Sequence, residues 1–304
     1  MDDSTLMTDT ADTRDTGTDY SRRFLFDDAD IRGELVQLDR TLADLLAVHQ
    51  YAPGVCRLLG EFLAAATLLS TTLKFEGRLV LQARSEGEIP LLMAECSDQL
   101  LVRGIARGAQ HATSEAFTQL LAGGVLAITV EPLRGKPYQG IVPLSENSLA
   151  ASLDAYFEQS EQLQTRLWLA SDGRQAAGLL LQQLPAQLQR SAEERARQWQ
   201  HASTLAATVS SDELLQLPAE TLLHRLYHED PVRLFDPRAV RFHCSCSEQR
   251  SRSALAALPP HELEDILAEQ GHIAVDCEFC NQQYRFEREA LYDLLADGRG
   301  GTVH

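Results

Sequence analysis

Val55–Ala83 reads VCRLLGEFLAAATLLSTTLKFEGRLVLQA, and its hydrophobic spacing changes partway along. From Val55 to Leu73 the apolar residues recur at helical intervals. Gly60 and Ala64 stand four apart, which lets a neighbouring helix or sheet approach that face closely. From Arg78 to Ala83 the run RLVLQA is strand-like instead. Ser85-Glu86-Gly87 then reads as a turn, and Ile89–Cys96 as the returning strand. A second pair follows in Gly124–Leu133 and Tyr138–Leu144, joined by a turn at Arg134-Gly135-Lys136-Pro137. Ser148–Leu163 has the pattern of an amphipathic helix. A helix between hairpins implies an α+β fold, a mixed sheet with helices packed on it. This core domain is assigned to residues 21–186.

Beyond it the character changes. Residues 187–243 hold two capping-box patterns, Ser191-x-x-Glu194 and Ser210-x-x-Glu213, so a helix is expected to start at each. The first carries AEERARQWQ at 192–200, a mostly polar surface with Trp199 its one large apolar group. The second is cut by Pro218 before TLLHRLY resumes. Most helical stability comes from packing an apolar face, so this stretch is expected to be a helical linker of marginal stability without its own core. At the other end, residues 1–20 are polar, acidic and rich in Asp and Thr. They are expected to form a disordered tail, and they lack the basic start and apolar stretch of a secretory signal.

Six cysteines in 304 residues is no disulfide scaffold, but four of them, Cys244, Cys246, Cys277 and Cys280, crowd the last quarter. The C-x-C at 244–246 and the C-x-x-C at 277–280 together supply a full set of soft thiolates, the ligands of a closed tetrahedral zinc site. Cys277-Glu278-Phe279-Cys280 lies between two strand-like runs, the setting of a zinc knuckle. The alternatives are a C-x-x-C dithiol beside an incidental pair, or four unliganded thiols. His243 and His272 lie close by, but four cysteines already fill the site. Residues 244–304 are therefore expected to be a small zinc-binding domain, with one zinc per chain standing in for a large core. The spacing also permits a bond within each pair, and neither bond would join the two halves of the unit. Zinc does join them, so the same residues make a candidate oxidation switch. Cys56 and Cys96 read as small buried hydrophobes.

Charge narrows the function. Forty-four acidic against 27 basic residues give a net charge of −17, which repels nucleic acid and anionic membranes. Between Cys244 and Leu295, four arginines face ten carboxylates, so the zinc unit is itself acidic, unlike a zinc-ribbon nucleic-acid binder. No uncharged run exceeds about 15 residues, short of the ~20 that span a bilayer. A cytoplasmic protein is expected. A dithiol oxidoreductase would place one reactive C-x-x-C at a helix N-terminus, and here the motif sits in a strand turn beside a second pair. No phosphate loop, nucleophile–base motif or open catalytic metal position is visible, so no enzyme is expected.

From Arg22 to Leu295 the chain resembles the heat-shock protein 33 family of redox-regulated chaperones, the thirty-three-kilodalton chaperonins. The resemblance is carried by RGELV at 32–36, LLGEFLAAATLL at 58–69, LKFEGRLVLQ at 73–82, VRGIAR at 102–107, YFEQSEQLQTRLWL at 156–169, FHCSCS at 242–247 and CEFCNQQYRF at 277–286. The acidic extension before Ser21 departs from the family pattern, as does SEQR at 247–250, where the family tends to a more basic run. The resemblance implies a holdase of the heat-shock and oxidative-stress response that works without ATP. Its zinc ligands map to Cys244, Cys246, Cys277 and Cys280, with disulfides Cys244–Cys246 and Cys277–Cys280 in the oxidised form and a homodimer on activation. Its partners would be unfolding client proteins. Release of the linker would expose Leu214, Leu215, Leu217, Leu222, Leu223, Leu226 and Tyr227 as a flexible apolar client surface. The alternative is that these residues only pack the linker down while clients bind the core sheet.

Overall fold

The computed structural model describes residues 19–72, 76–160, 163–188 and 191–296. The expected tail lies outside them up to residue 18. Asp19 and Tyr20, assigned to that tail from sequence, belong to the fold. The Asp19 carboxylate accepts from the backbone N–H groups of Asp39 at 2.6 Å, Arg40 at 3.1 Å and Thr41, capping the helix that starts there.

The core runs β1 (Tyr20–Phe26), β2 (Ile31–Leu38), α1 (Arg40–Leu46), α2 (Pro53–Thr72), β3 (Gly77–Arg84), β4 (Leu91–Ser97), β5 (Leu101–Arg107), α3 (Phe117–Leu120), β6 (Val125–Pro132), β7 (Tyr138–Pro143), α4 (Leu149–Ser160), β8 (Thr165–Ser171) and β9 (Ala176–Gln183). The linker adds α5 (Ala192–Ala206), α6 (Ser211–Gln216), α7 (Ala219–Tyr227), β10 (Val232–Leu234), β11 (Arg238–Ala239) and β12 (Arg241–Phe242). The C-terminal unit holds α8 (Glu248–Leu255), α9 (Pro260–Gln270), β13 (Ile273–Asp276), β14 (Gln283–Phe286), a 3-10 turn over Arg288–Leu291 and α10 (Tyr292–Ala296). The run from Arg288 to Ala296 is thus divided between a 3-10 turn and a short helix.

Two sheets enclose α2. One has the order β10-β1-β2-β9-β8 with β11 also on β1, and the other β12-β5-β4-β3-β6-β7. Only β12 against β5 is parallel among the described pairs. Phe62 and Leu63 of α2 are fully buried between the sheets, and Phe62→Ala would cost ~3–5 kcal/mol. Gly60 makes the close approach that its spacing suggests, since a Cβ there would sit 2.4 Å from Ser171 Oγ of β8. Among the described residues α2 alone has the length and hydropathy of a membrane span, yet 78% of that window is buried within the protein.

Both hairpins read from sequence are present as β3–β4 and β6–β7. The returning strand starts at Leu91 rather than Ile89, because Pro90 has no N–H to give a ladder. Five core strands went unread: β1, β2, β5, β8 and β9. Strand β9 is covered on both faces, so AAGLLLQQ shows no alternation. In β1 and β2, charged residues interrupt the pattern. One of them, Glu34, is buried and accepts a hydrogen bond from Ser21 Oγ.

The linker is not helical throughout. Its last third supplies three short strands, β10 and β11 on the open edge of β1 and β12 on the open edge of β5, where unpaired backbone groups are available. Its helices lie on the outer face of the first sheet. Trp199 does not anchor α5 alone, because Ala202 and Ala206 are buried beside it. The Ser210–Glu213 capping box is formed, and Ser191 caps α5 by accepting from Glu194 N. The C-terminal unit has its own small cluster of Leu255, Leu263, Leu267, Ile273, Phe286, Leu291 and Leu295.

Candidate metal centre

Strand β12 brings the first cysteine pair into place. Arg241 and Phe242 pair with Leu101 and Val102 of β5, and His243 N donates to Val102 O at 2.9 Å. Cys244 follows at once. Ser247 then caps α8 by accepting from Arg250 N at 3.2 Å. Arg250 folds back to donate to Ser245 O and Oγ, both at 2.8 Å, so SEQR braces the C-x-C turn.

The second pair sits in the β13–β14 hairpin. Cys277 N donates to Gln282 O at 2.9 Å, and Asn281 N to Cys277 O at 2.7 Å. Asn281 takes φ 55°, a left-handed conformation that asparagine tolerates, and this closes the turn. The motif is a strand turn, as expected, and not a helix N-terminus.

The four sulfurs lie within 4.8 Å of one another. Cys244 Sγ is 3.6 Å from Cys277 Sγ, and Cys246 Sγ is 3.5 Å from Cys280 Sγ. Zn–S bonds of ~2.3 Å in a tetrahedron place sulfurs roughly 3.8 Å apart, so the donor set fits a four-thiolate zinc ion. Neither His243 nor His272 belongs to the group. Without a cation the thiols pull one another apart in acidity. Burial and then the neighbouring thiols push Cys280 up to about 12. Burial also raises Cys244. At Cys246 burial acts in the same direction but is outweighed by the hydrogen bond from Tyr284 Oη, 3.1 Å away, and by the other thiols, so its pKa falls below the ordinary value. Four thiolates this close need a central positive charge.

Neither Cys56 nor Cys96 belongs to the cluster. Burial raises both, Cys96 to about 12, which makes both poor nucleophiles at neutral pH.

Several neighbours of the cluster were not legible in the sequence. Arg103 of β5 donates to Cys244 Sγ at 3.8 Å, and its guanidinium lies 4.1 Å from the centre of the Phe279 ring. Glu95, directly opposite on β4, grips Arg103 with both carboxylate oxygens at 2.9 Å. Arg107 pairs with Glu278. No local pattern announces these contacts, because the arginines stand in the first half of the chain and their partners in its last quarter. Arg103 and Arg107 stand within VRGIAR at 102–107, and Glu278, Phe279 and Tyr284 within CEFCNQQYRF at 277–286, but nothing in either stretch says that the two meet.

The apolar linker residues form one cluster. Leu214, Leu222, Leu223, Leu226 and Tyr227 are buried, with Leu215 and Leu217 partly so, against Phe24, Phe26, Ile31, Leu35, Leu179 and Leu181 of the first sheet. Tyr227 is the largest of them, meeting Phe26 edge-on at 4.9 Å and donating to Ala202 O at 3.0 Å.

A family model described as Hsp33 protein matches residues 19–287. The 33 kDa chaperonin of Pseudomonas paraeruginosa is 53% identical over 294 residues, covering 94% of this chain and 99% of that protein. That of Azotobacter vinelandii is 53% identical over 287 residues, covering 93% and 97%. The crystal structure of the 33 kDa chaperonin (heat shock protein 33 homolog) of Thermotoga maritima covers 91% of this chain and 98% of that one, with a TM-score of 0.75 and 23% identity, a likeness of fold. With a family model matched across core, linker and cysteine cluster, and relatives this similar over nearly their whole length, the chain belongs to the Hsp33 family of chaperones.

Proposed function

We propose that the protein is a redox-regulated, ATP-independent holdase of the cytoplasm, inactive while reduced and zinc-bound. The observation that carries this reading is the burial of the linker's apolar face against the first sheet while the linker's end, β12, leads directly into the cysteine cluster. A client surface is thereby stored under a segment whose anchor is chemically labile.

Bound zinc keeps the four thiolates deprotonated at neutral pH and ties the two halves of the unit with an apparent ~10–16 kcal/mol. A cysteine thiolate attacks peroxide, the O–O bond breaks, one oxygen stays on sulfur as sulfenic acid and the other leaves as water. The neighbouring thiolate then attacks that sulfur, an S–S bond forms and the sulfenic oxygen departs as a second water. Two peroxides thus take four electrons and yield Cys244–Cys246 and Cys277–Cys280. No sulfur then retains the thiolate that a metal needs, and no bond joins Cys244-Ser245-Cys246 to the hairpin. A core of seven buried side chains in so small a unit supplies only a few kcal/mol, so the unit unfolds.

Unfolding removes the support at β12, and the linker helices peel away. This exposes Leu214, Leu222, Leu223, Leu226 and Tyr227, together with the face of β1, β2 and β9 beneath them. The two client surfaces considered from sequence are thus opposite sides of one interface. Such a surface suits unfolding clients and also favours homodimerisation on activation. The net charge of −17 keeps the complexes dispersed and disfavours nucleic acid and membranes as partners. Light scattering from a chemically unfolded client tests the reading. Peroxide-treated protein should suppress aggregation without ATP, and equal suppression by the reduced protein at matched concentration would overturn it.

A further inference from the structure

The outer face of the second sheet carries a row of alternating charge. Arg103 on β5, Glu95 on β4, Arg78 on β3 and Glu131 on β6 are joined in sequence, with Arg78 Nε 2.6 Å from Glu131 and its Nη1 3.5 Å from Glu95. Glu95 is buried, and only 12% of the Arg103 side chain is exposed, so Arg103 is held from behind in one orientation. Its far side meets the metal centre twice, at Cys244 Sγ and at the Phe279 ring. Strand alternation puts Arg107 on the same face of β5, and it pairs with Glu278. The loop after α1 completes the contact, with His49 Nε2 2.7 Å from Glu278 O and Asn281 Nδ2 donating to Val48 O at 2.9 Å. Glu278 and Phe279, the two residues between Cys277 and Cys280, are therefore both fixed to the core domain.

We propose that Arg103 and Arg107 form a seat on β5 that docks the cysteine hairpin through Phe279 and Glu278, and that occupation of this seat sets how readily the four thiolates surrender zinc. The inference deepens the zinc reading above, on which its rate assay rests. A disulfide needs sulfurs ~2.05 Å apart, far closer than zinc-bound sulfurs, so closing Cys277–Cys280 must rearrange the turn that presents Glu278 and Phe279. Docking and oxidation then compete for one turn conformation. Linkage is reciprocal: if oxidation undocks the hairpin, undocking must ease oxidation by the same factor at equilibrium. The core domain thereby sets the threshold of a switch located outside it. Arg103 acts as a positioning residue, keeping Cys244 and Phe279 on one planar group.

The test uses full-length, reduced, zinc-loaded protein and measures zinc release to a chromogenic chelator at fixed peroxide. Arg103→Gln and Phe279→Leu should each release zinc roughly tenfold faster, the scale of a lost cation–π contact and charged hydrogen bond. The double variant should be no faster than the faster single, because both remove one contact. Arg107→Glu and Glu278→Arg should each accelerate release, and combining them should restore the wild-type rate to within about twofold by reversing the ion pair. That surface pair keeps the test open should Arg103→Gln, which strips Glu95 of its main partner, fail to fold. Wild-type rates in the single variants, additive effects in the Arg103/Phe279 pair, or a charge-reversed pair as fast as its singles would overturn the seat. Amide exchange at 277–281 is read in parallel and needs no metal. It should quicken in Arg107→Glu and recover in the reversed pair. If the wild type held no zinc, the zinc reading would fall and exchange alone would decide for or against the seat.

Discussion

Removing the Tyr227 side chain should separate linker release from oxidation. The ring is 2% exposed, meets Phe26 at 4.9 Å and Phe24 at 6.3 Å, and its hydroxyl donates to Ala202 O at 3.0 Å. It therefore clamps α7 to α5 and both helices to the first sheet. Truncating a buried aromatic to alanine costs ~3–5 kcal/mol, and at ~1.4 kcal/mol per decade this raises the population of the undocked linker by roughly two to three and a half orders of magnitude. In reduced, zinc-loaded Tyr227→Ala, amide exchange over 192–227 should quicken by about that factor while the β3–β6 amides keep their protection. Aggregation of a chemically unfolded client should be suppressed without oxidant, with zinc content unchanged. Tyr227→Phe keeps the ring and loses only the hydrogen bond, ~1 kcal/mol or about fivefold, and should sit between. Wild-type exchange across α5–α7 in Tyr227→Ala would show that this contact does not hold the linker. Faster exchange without holdase activity would show that linker release does not create the client site.

If the four cysteines hold one zinc per chain as proposed, Cys277→Ser should lower the zinc content and Cys56→Ser should not. Full zinc retention in a Cys244→Ser/Cys246→Ser double variant would sink the ligand assignment. Peptide mapping after peroxide should find Cys244–Cys246 and Cys277–Cys280, even though the sulfurs of Cys244 and Cys277, and of Cys246 and Cys280, start only 3.6 and 3.5 Å apart; bridges between the C-x-C turn and the hairpin would keep the two halves tied and refute unfolding of the unit. Glu61 has its carboxyl raised by burial from 4.5 to about 7, against the pull of Arg57. The folded state thus holds a proton that the unfolded state gives up between those values, so stability is fully present below the unfolded pKa and falls as pH rises through the folded one. Glu61→Gln should abolish that loss, worth ~1–3 kcal/mol at pH 8 in thermal unfolding, whereas parallel pH profiles would contradict it.

Features encoded by neighbouring residues were legible without coordinates. The helical period of Val55–Leu73, the hairpins around residues 85–87 and 134–137, the Ser210–Glu213 capping box and the C-x-C/C-x-x-C spacing all depend on side chains within a turn or a hairpin of one another. The period of a helix or strand and the reach of a knuckle are written into such intervals. What tertiary structure alone decided is what those elements are pressed against. Strand β9 became a central strand because α2 covers one face and the linker helices the other, which erases the alternation that would have marked it. The linker's leucines are a buried surface because β1 and β2 put Phe24, Phe26, Ile31 and Leu35 opposite them. Arg103 reads from sequence as one of the chain's arginines. It reaches the cysteine cluster because β4 sets Glu95 in register opposite it and β12, from the far end of the linker, joins the same sheet edge beside it. Spacing chose the four sulfurs, but the partners that hold them were fixed by strand register between segments with no sequence proximity.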